Sequence, residues 1–205
     1  MKIKVYADTI CGWCFIGQTN LEKALEDYKN KQIEVEHVPF QLNPDMPESG
    51  ISRSDYLNIK FGGKELAAPM YASMTQKAKE VGLNLNLEKI IKTPNTVLSH
   101  LLILLAKDSG KENEIKKEIY TSYFIMGEDI GDENVLFKIA EHNNISKEKV
   151  INYFSEINKN KIYSYQNMAK EKNISGVPFF EINDQFVSGA QSSEYLKNFI
   201  KENLN

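Results

Sequence analysis

The sequence predicts an α/β protein in which both ends of the chain build one sheet domain and an all-helical segment is inserted between them. Three observations support this prediction. Apolar and polar residues alternate in two stretches near the N-terminus, residues 54–153 show helical patterns only, and alternation returns after residue 176. The expected order is an N-terminal βαβ unit, a large helical insertion and a C-terminal ββα unit.

The N-terminal unit begins with a predicted strand in which Ile3, Val5 and Ala7 share one buried face. Apolar residues spaced three and four apart then indicate an amphipathic helix over residues 14–28. Alternation over residues 32–38 predicts a second strand. Because a helix connects the two strands, the second should run parallel to the first.

A proline-rich segment, residues 39–47, marks a rigid turn that leaves the sheet. The segments with helical periodicity beyond it are residues 56–61, 65–81, 93–107, 114–124, 135–142 and 148–154. The pair Thr93-Pro94 is expected to start one of these helices, because threonine is a good cap and proline suits the first helical position.

The chain returns to the sheet after this helical block. The elements expected there are a helix over residues 161–172, strands over 177–182 and 185–188, and a helix from the cap residue Ser192 to about Lys201. We therefore expect a discontinuous sheet domain formed by residues 1–45 and 157–205, and an inserted helical subdomain formed by residues 46–156.

Composition limits the classes of function. Of the 205 residues, 41% are hydrophobic, which is enough for one sizeable core. A net charge of −3, with interleaved lysines and glutamates, favours a solvated surface over a nucleic-acid-binding patch. No signal peptide is recognisable, and the longest apolar run, residues 101–106, is too short to span a bilayer. We expect a soluble, cytoplasmic protein that binds neither nucleic acid nor membrane.

The two cysteines, Cys11 and Cys14, lie three residues apart where the first strand gives way to the first helix. If the helix starts at Cys11, unpaired N–H groups and the helix dipole stabilise a thiolate there. A structural zinc site needs four ligands, and the three histidines are scattered singly, so no metal is assigned. Redox chemistry is favoured, whereas a soft ion such as Cu(I) or two merely apolar thiols are the alternatives.

Gly176-Val177-Pro178 lies at the start of a predicted strand, where proline cannot donate to a ladder. Either the bond before Pro178 is cis and exposes the polar groups of Val177, or Pro178 is an ordinary residue at a strand start. The local sequence alone favours the ordinary residue, because cis bonds are a small minority of X-Pro bonds.

Taken together, these segments resemble the DsbA-like branch of the thioredoxin superfamily. Within that branch the chain is most similar to FrnE-like proteins, which are grouped with 2-hydroxychromene-2-carboxylate isomerases. The matching segments are residues 8–17, 39–47, 93–96 with His100, 123–130, 175–180 and 188–191. A Cys-x-x-Cys motif alone is a weak signal, but its combination with the Val-Pro segment near the C-terminus is a strong one.

The resemblance implies a thioredoxin fold with a helical insertion and a thiol–disulfide oxidoreductase that uses Cys11 and Cys14 as its redox pair. It also implies that Pro178 is cis and lies beside Cys11, and that the Val177 backbone pairs with an extended substrate. No cofactor is expected beyond the redox-active disulfide. The expected partners are protein or peptide thiols and disulfides, with glutathione as a candidate co-substrate, and the protein is expected to be a monomer or homodimer.

Five further residues are assigned to the site with alternatives. Gly12 replaces the proline that such relatives often carry, which leaves the reduction potential open. Asp8 either bonds local backbone or supports the cysteines, and Trp13 either binds apolar substrate or packs against the insertion. Asn95 and His100 are assigned to substrate binding, because they could line a helix face towards the cysteines, although a histidine satisfied at an interface is the plainer interpretation of His100.

Two other functions compete with the oxidoreductase. A glutathione-dependent isomerase or transferase could use the same scaffold, but such relatives usually carry serine at the position of Cys11 and lack a second cysteine. A non-enzymatic module could use the two thiols to hold a soft metal, or use an apolar groove to bind peptide.

Overall fold

The computed structural model of the protein describes residues 1–204. In chain order the elements are β1 (Lys2–Ala7), α1 (Gly12–Leu25), β2 (Glu34–Pro39), β3 (Ile51–Ser52), α2 (Arg53–Phe61), α3 (Lys64–Glu80), β4 (Lys92–Thr93), α4 (Val97–Lys107), α5 (Glu112–Thr121), α6 (Glu133–His142), α7 (Lys147–Tyr153), α8 (Glu156–Glu171), β5 (Phe179–Ile182), β6 (Gln185–Ser188) and α9 (Ser193–Glu202). A π-helical turn, Ser122–Met126, continues α5.

Four strands form the main sheet in the order β2-β1-β5-β6. The predicted parallel pairing of β1 with β2 is confirmed, and β5 and β6 add antiparallel strands from the other end of the chain. Val5 lies opposite His37 on one side and Phe180 on the other. The predicted fold class, a thioredoxin fold with a helical insertion, is therefore confirmed.

Both faces of β1 are covered, although its alternating pattern predicts only one buried face. Ile3, Val5 and Ala7 pack into the main core with residues of α1 and α9. Tyr6 points to the other face, where it packs with Ala169 of α8 and is 1% exposed. A tyrosine is compatible with this position because its hydroxyl finds a partner, Glu181 Oε2, at 2.8 Å.

The insertion contains a small sheet that the sequence pattern does not reveal. Strands β3 and β4 pair antiparallel, with Ile51 opposite Thr93. The predicted helix start at Thr93-Pro94 is therefore wrong: Thr93 lies in a strand, and α4 begins at Val97. The side chain of Asn95 accepts a hydrogen bond from the Val97 N–H at 2.9 Å. It therefore binds a free N–H group at the start of α4, as was expected of Thr93.

The start of the last helix agrees with the sequence. Ser192 is the N-cap of α9, and its hydroxyl accepts a hydrogen bond from the Tyr195 N–H at 3.2 Å. The division into residues 1–45 with 157–205 and residues 46–156 stays a prediction. Among the helices that residues 1–204 form, none combines the length and apolar character needed to cross a membrane.

Candidate active site

Cys11 lies where β1 gives way to α1 and is the N-cap of that helix. Its backbone is extended, with φ −96° and ψ 106°, and its Sγ accepts a hydrogen bond from the Cys14 N–H at 3.1 Å. The first N–H groups of a helix lack intrahelical partners, so they stabilise negative charge on this sulfur. The helix predicted over residues 14–28 is present as Gly12–Leu25, and the condition that the helix starts at Cys11 is met.

Cys14 lies one turn further along α1 and is 1% exposed, compared with 5% for Cys11. Both side chains are free thiols. Burial raises the pKa of Cys14 well above its ordinary value, and the hydrogen bond with Cys11 adds to this effect. Cys14 therefore stays protonated at neutral pH until a base accepts its proton.

The Val177 carbonyl lies against the Cys11 sulfur, although 166 residues separate the two. The Cys11 thiol donates to the Val177 carbonyl at 3.6 Å, and the Val177–Pro178 peptide bond is cis. Gly17 of α1 permits the close approach, because a Cβ at this position would lie 2.9 Å from Pro178 Cγ. The start of α1 and the segment before β5 therefore form one surface at Cys11.

Asp8, three residues before Cys11, is fully buried. Its main-chain carbonyl accepts hydrogen bonds from the Cys11 N–H at 3.1 Å and from the Tyr120 hydroxyl at 3.3 Å. Carboxylate Oδ2 accepts from the Leu42 N–H at 2.7 Å, whereas Oδ1 has no hydrogen-bond partner among residues 1–204. The charge of this carboxylate also helps to raise the pKa of Cys14. Asp8 thus closes a local turn and also places a buried carboxylate whose charge acts on the Cys14 thiol.

Two buried histidines extend this polar cluster into the insertion. Nε2 of His100 lies 3.3 Å from Asp8 Oδ1, and Nδ1 of His100 lies 3.0 Å from Nε2 of His37. Burial lowers the pKa of His37 well below its ordinary range, and the charges of His100 and Lys116 lower it further. His37 is therefore neutral at pH 7; its Nε2 is bonded to His100, whereas its Nδ1 has no hydrogen-bond partner among residues 1–204.

This geometry agrees with a comparison against known families. A model of the DSBA-like thioredoxin domain matches residues 2–201, nearly the whole chain. The chain belongs to the family of DSBA-like thioredoxin domains. A sequence relative, the uncharacterized protein YwbO of Bacillus subtilis (strain 168), is 26% identical over 207 residues, which cover 98% of this chain and 96% of that protein.

Three solved structures share this DSBA-like fold. A probable DsbA oxidoreductase from Streptomyces coelicolor has a TM-score of 0.87 and 24% identity, over 98% of this chain and 89% of that one. A 2-hydroxychromene-2-carboxylate isomerase has a TM-score of 0.76 and 13% identity, over 98% and 95%. The cytosolic disulfide reductase DsbM from Pseudomonas aeruginosa has a TM-score of 0.70 and 15% identity, over 100% and 98%, and has also been solved with GSH.

Two residues of this DSBA-like domain that were predicted to bind substrate have other neighbours. His100 is fully buried behind Asp8, so its side chain does not reach the surface. The Asn95 amide nitrogen donates to the Met46 carbonyl at 2.7 Å, and its oxygen accepts from the Val97 N–H at 2.9 Å. Asn95 therefore ties the chain that leaves the sheet to the start of α4.

Helix α3 of the insertion covers the middle of the cysteine motif. A Cβ at Gly12 would lie 2.4 Å from Met74 Sδ, so glycine is the residue that lets Met74 pack against the start of α1. Trp13 is half-buried and packs in the apolar cluster that contains Met74 and Ile16. Trp13 therefore packs against the insertion, and its binding of apolar substrate stays a prediction.

Three contacts of the site were missed by sequence reasoning. Leu42 supplies the N–H that binds the Asp8 carboxylate, Tyr120 binds the Asp8 carbonyl, and Met74 covers Gly12. A signal for Leu42 exists, because it follows β2, which runs parallel to β1, and the ends of parallel strands meet at one sheet edge. Tyr120 and Met74 lie on ordinary apolar helix faces, where no local pattern separates them from core residues.

Proposed function

We propose that this protein is a thiol–disulfide oxidoreductase that exchanges disulfides with protein or small thiol substrates through Cys11 and Cys14. The observation that supports this most directly is the position of the Cys11 sulfur, which caps α1 and lies 3.6 Å from the Val177 carbonyl. A sulfur held at a helix start is a good thiolate nucleophile. Once Cys11 ionises, the Val177 carbonyl loses its thiol donor and can bind an extended substrate backbone.

In the reductive direction, the Cys11 thiolate attacks a substrate disulfide, and one substrate sulfur leaves as a thiolate while the other joins Cys11. Cys14 then loses its proton and attacks the Cys11 sulfur. This step forms the Cys11–Cys14 disulfide, releases the second substrate thiolate and leaves both substrate sulfurs reduced. The oxidative direction is the reverse, beginning with attack of a substrate thiolate on Cys11.

We propose that Asp8 accepts the Cys14 proton before the second attack. The raised pKa of Cys14 creates the need for a base, and Asp8 is the buried carboxylate whose charge acts on that thiol. The Leu42 N–H holds Oδ2 in place at 2.7 Å, while Oδ1 is free to accept. His100, 3.3 Å from Oδ1, supports the carboxylate from the other side.

Replacing either cysteine tests the assignment. Cys14→Ser should accumulate mixed disulfides at Cys11, because the first attack proceeds and the second cannot. Cys11→Ser should abolish disulfide exchange. Mass spectrometry of trapped species and an insulin-reduction assay provide the two measurements, and full activity of Cys11→Ser would contradict the proposal.

We propose glutathione as a co-substrate and the cytoplasm as the compartment. The support is the fold shared with DsbM, which is named a cytosolic disulfide reductase and has been solved with GSH. The equilibrium of the Cys11–Cys14 couple against glutathione tests the direction of exchange. A potential near that of thioredoxin, about −270 mV, supports a reductase, whereas one well above the cytosolic poise supports an oxidase or isomerase.

A glutathione-dependent isomerase is the second candidate, favoured by the fold shared with 2-hydroxychromene-2-carboxylate isomerase. The two functions differ in their need for Cys14. An isomerase would keep its turnover of an aromatic substrate with glutathione in the Cys14→Ser variant, whereas the oxidoreductase should lose disulfide turnover in the same variant. Measuring both activities on one preparation separates the candidates.

A further inference from the structure

A cavity of about 700 Å³ lies within the helical insertion, between α2, α3 and residues 85–90. Leu57, Leu85, Leu87 and Ile90 supply apolar walls, and Ala72 of α3 supplies a small side chain that leaves the space open. The volume falls within the range of about 300–1,000 Å³ that is typical of small-molecule sites. None of the residues assigned to disulfide exchange lines it.

Arg53, the first residue of α2, lines this cavity, and it has no acidic partner within residues 1–204. Its guanidinium donates to Thr93 Oγ1 at 3.2 Å and to the Tyr71 hydroxyl oxygen at 2.9 Å, and it lies 5.2 Å from the ring centres of Tyr56 and Tyr71. A guanidinium has five N–H donors, and only two are used among residues 1–204. The position of Arg53 is therefore set by its neighbours while donors remain for a ligand.

Tyr71 adds a second donor at the same end of the cavity. Its oxygen accepts from Arg53, but within residues 1–204 its hydroxyl hydrogen has no acceptor. Burial raises the pKa of Tyr71, although Arg53 opposes the shift, so the hydroxyl stays protonated. A guanidinium and a phenol hydroxyl 2.9 Å apart match the two oxygens of a carboxylate.

The charges around the cavity favour an anion. Arg53, Lys64 and Lys79 line it against a single carboxylate, that of Glu88. Glu88 pairs with Lys64 at 3.5 Å, and both of these side chains are largely exposed at the rim. The half-buried guanidinium of Arg53 is therefore left uncompensated beside apolar walls, and an anion there would gain from the reduced solvation.

We propose that this cavity binds a small organic carboxylate with an apolar body, with the carboxylate on Arg53 and the Tyr71 hydroxyl and the body against the leucine walls. The site is separate from disulfide exchange at Cys11. It does, however, share Tyr71 with the apolar cluster that holds Met74 and Trp13. A ligand bound to Tyr71 would therefore contact a residue that packs in the same cluster as Met74, which covers the cysteine motif.

Calorimetric titration with 2-naphthoate tests the proposal, and the neutral isostere 2-naphthamide is the charge control. We expect 2-naphthoate to bind one site per chain, at least about tenfold tighter than the amide, because only the acid forms charge-assisted hydrogen bonds with Arg53. The same affinity is expected in the Cys11→Ser variant, so failure of the redox proposal would leave this result unchanged. Equal affinity for acid and amide, or no binding of the acid, would overturn the proposal.

Variants of residues that line the cavity test whether 2-naphthoate binds there. Arg53→Gln should weaken 2-naphthoate at least about tenfold, whereas Lys77→Gln removes a cation from the same insertion outside the cavity and should have no effect. Because Arg53 also packs on two tyrosines, Ala72→Phe serves as a second variant that fills the cavity and leaves Arg53 in place. Wild-type binding in both Arg53→Gln and Ala72→Phe would overturn the assignment.

Discussion

The sheet domain and the helical insertion contribute to the candidate active site in different ways. The sheet domain supplies the sulfurs of Cys11 and Cys14 and the Val177 carbonyl, groups that can take part directly in exchange. The insertion supplies the surroundings: His100 beside the Asp8 carboxylate and Met74 against Gly12. In the proposed function, the reacting groups therefore come from the sheet domain, whereas the insertion supplies the residues that surround them.

The two regions also treat buried charge differently. Glu181 of β5 accepts hydrogen bonds from Lys4, Lys172 and Tyr6, so its charge is fully compensated. Lys116 of α5 is 1% exposed, and its Nζ has no hydrogen-bond partner among residues 1–204. A compensated charge stabilises the sheet domain, whereas an uncompensated one destabilises the insertion. Removing the charge of Glu181 should therefore lower the free energy of unfolding, whereas removing the charge of Lys116 should raise it.

The largest effect is expected from Asp8→Asn, which removes the proposed base without changing the shape of the side chain. The attack of Cys14 on the mixed disulfide should slow at least about tenfold at pH 7, because its proton has no acceptor. The difference should shrink as pH rises and Cys14 ionises directly. Stopped-flow measurement of the Trp13 fluorescence change after mixing with a disulfide peptide would give the rate against pH.

Asp184→Asn is the matched control for this variant, because Asp184 is exposed in the turn between β5 and β6. It should leave the rate and its pH profile unchanged. An Asp8→Asn protein with the wild-type profile at every pH would rule out the base and leave Asp8 as a buried structural residue. A uniform slowing at every pH would indicate damaged geometry instead.

This division between the regions also explains what the sequence could reveal. Strand alternation and helical periodicity are local patterns, so the parallel pairing of β1 with β2 and the helix between them were predicted correctly. Met74 meets Gly12 across 62 residues, and Tyr120 meets Asp8 across 112, so these contacts depend on packing that has no local signature. At Thr93 the cap signal was outweighed by pairing with Ile51.

Glu181→Gln should destabilise the protein by about 1–3 kcal/mol at pH 7. Burial alone would raise the pKa of Glu181, but hydrogen bonds from Lys172, Lys4 and Tyr6 outweigh it and lower the pKa to about 2. A carboxyl group with a lowered pKa contributes stability above its unfolded value, near 4.5, and loses it as pH falls towards 2. Urea unfolding between pH 3 and 7 should show the difference from wild type shrinking as pH falls.

The exposed acid Glu34 of β2 is the control for this measurement, because its ion pair with Lys2 is long, at 3.6 Å, and solvated. Glu34→Gln should change the free energy of unfolding little at any of these pH values. An effect of Glu181→Gln no larger than that of Glu34→Gln would show that the charge in β5 is not compensated as described.

Lys116→Met should have the opposite effect and stabilise the protein by about 1–2 kcal/mol at pH 7. Burial lowers the pKa of Lys116 to about 8, against the weaker attraction of Glu112 and Glu22. Between pH 8 and 10.5, Lys116 is protonated in the unfolded chain but not in the folded one, so the stability of the wild type should rise with pH. The difference in stability between the wild type and Lys116→Met should therefore shrink over this range. Lys117→Met, one residue away and exposed, is the control and should show no such dependence.

The last prediction concerns the place where the two regions touch, at Gly12 and Met74. Gly12→Ala places a Cβ against Met74 Sδ and should destabilise the protein by about 1–2 kcal/mol, because a packed side chain must move. In a Met74→Ala background the space is free and alanine favours the helix, so the same change should be neutral or slightly stabilising. Urea unfolding of the four proteins gives the coupling between the two sites. Additive effects would mean that Met74 does not restrict Gly12, and the glycine would then act through backbone freedom alone.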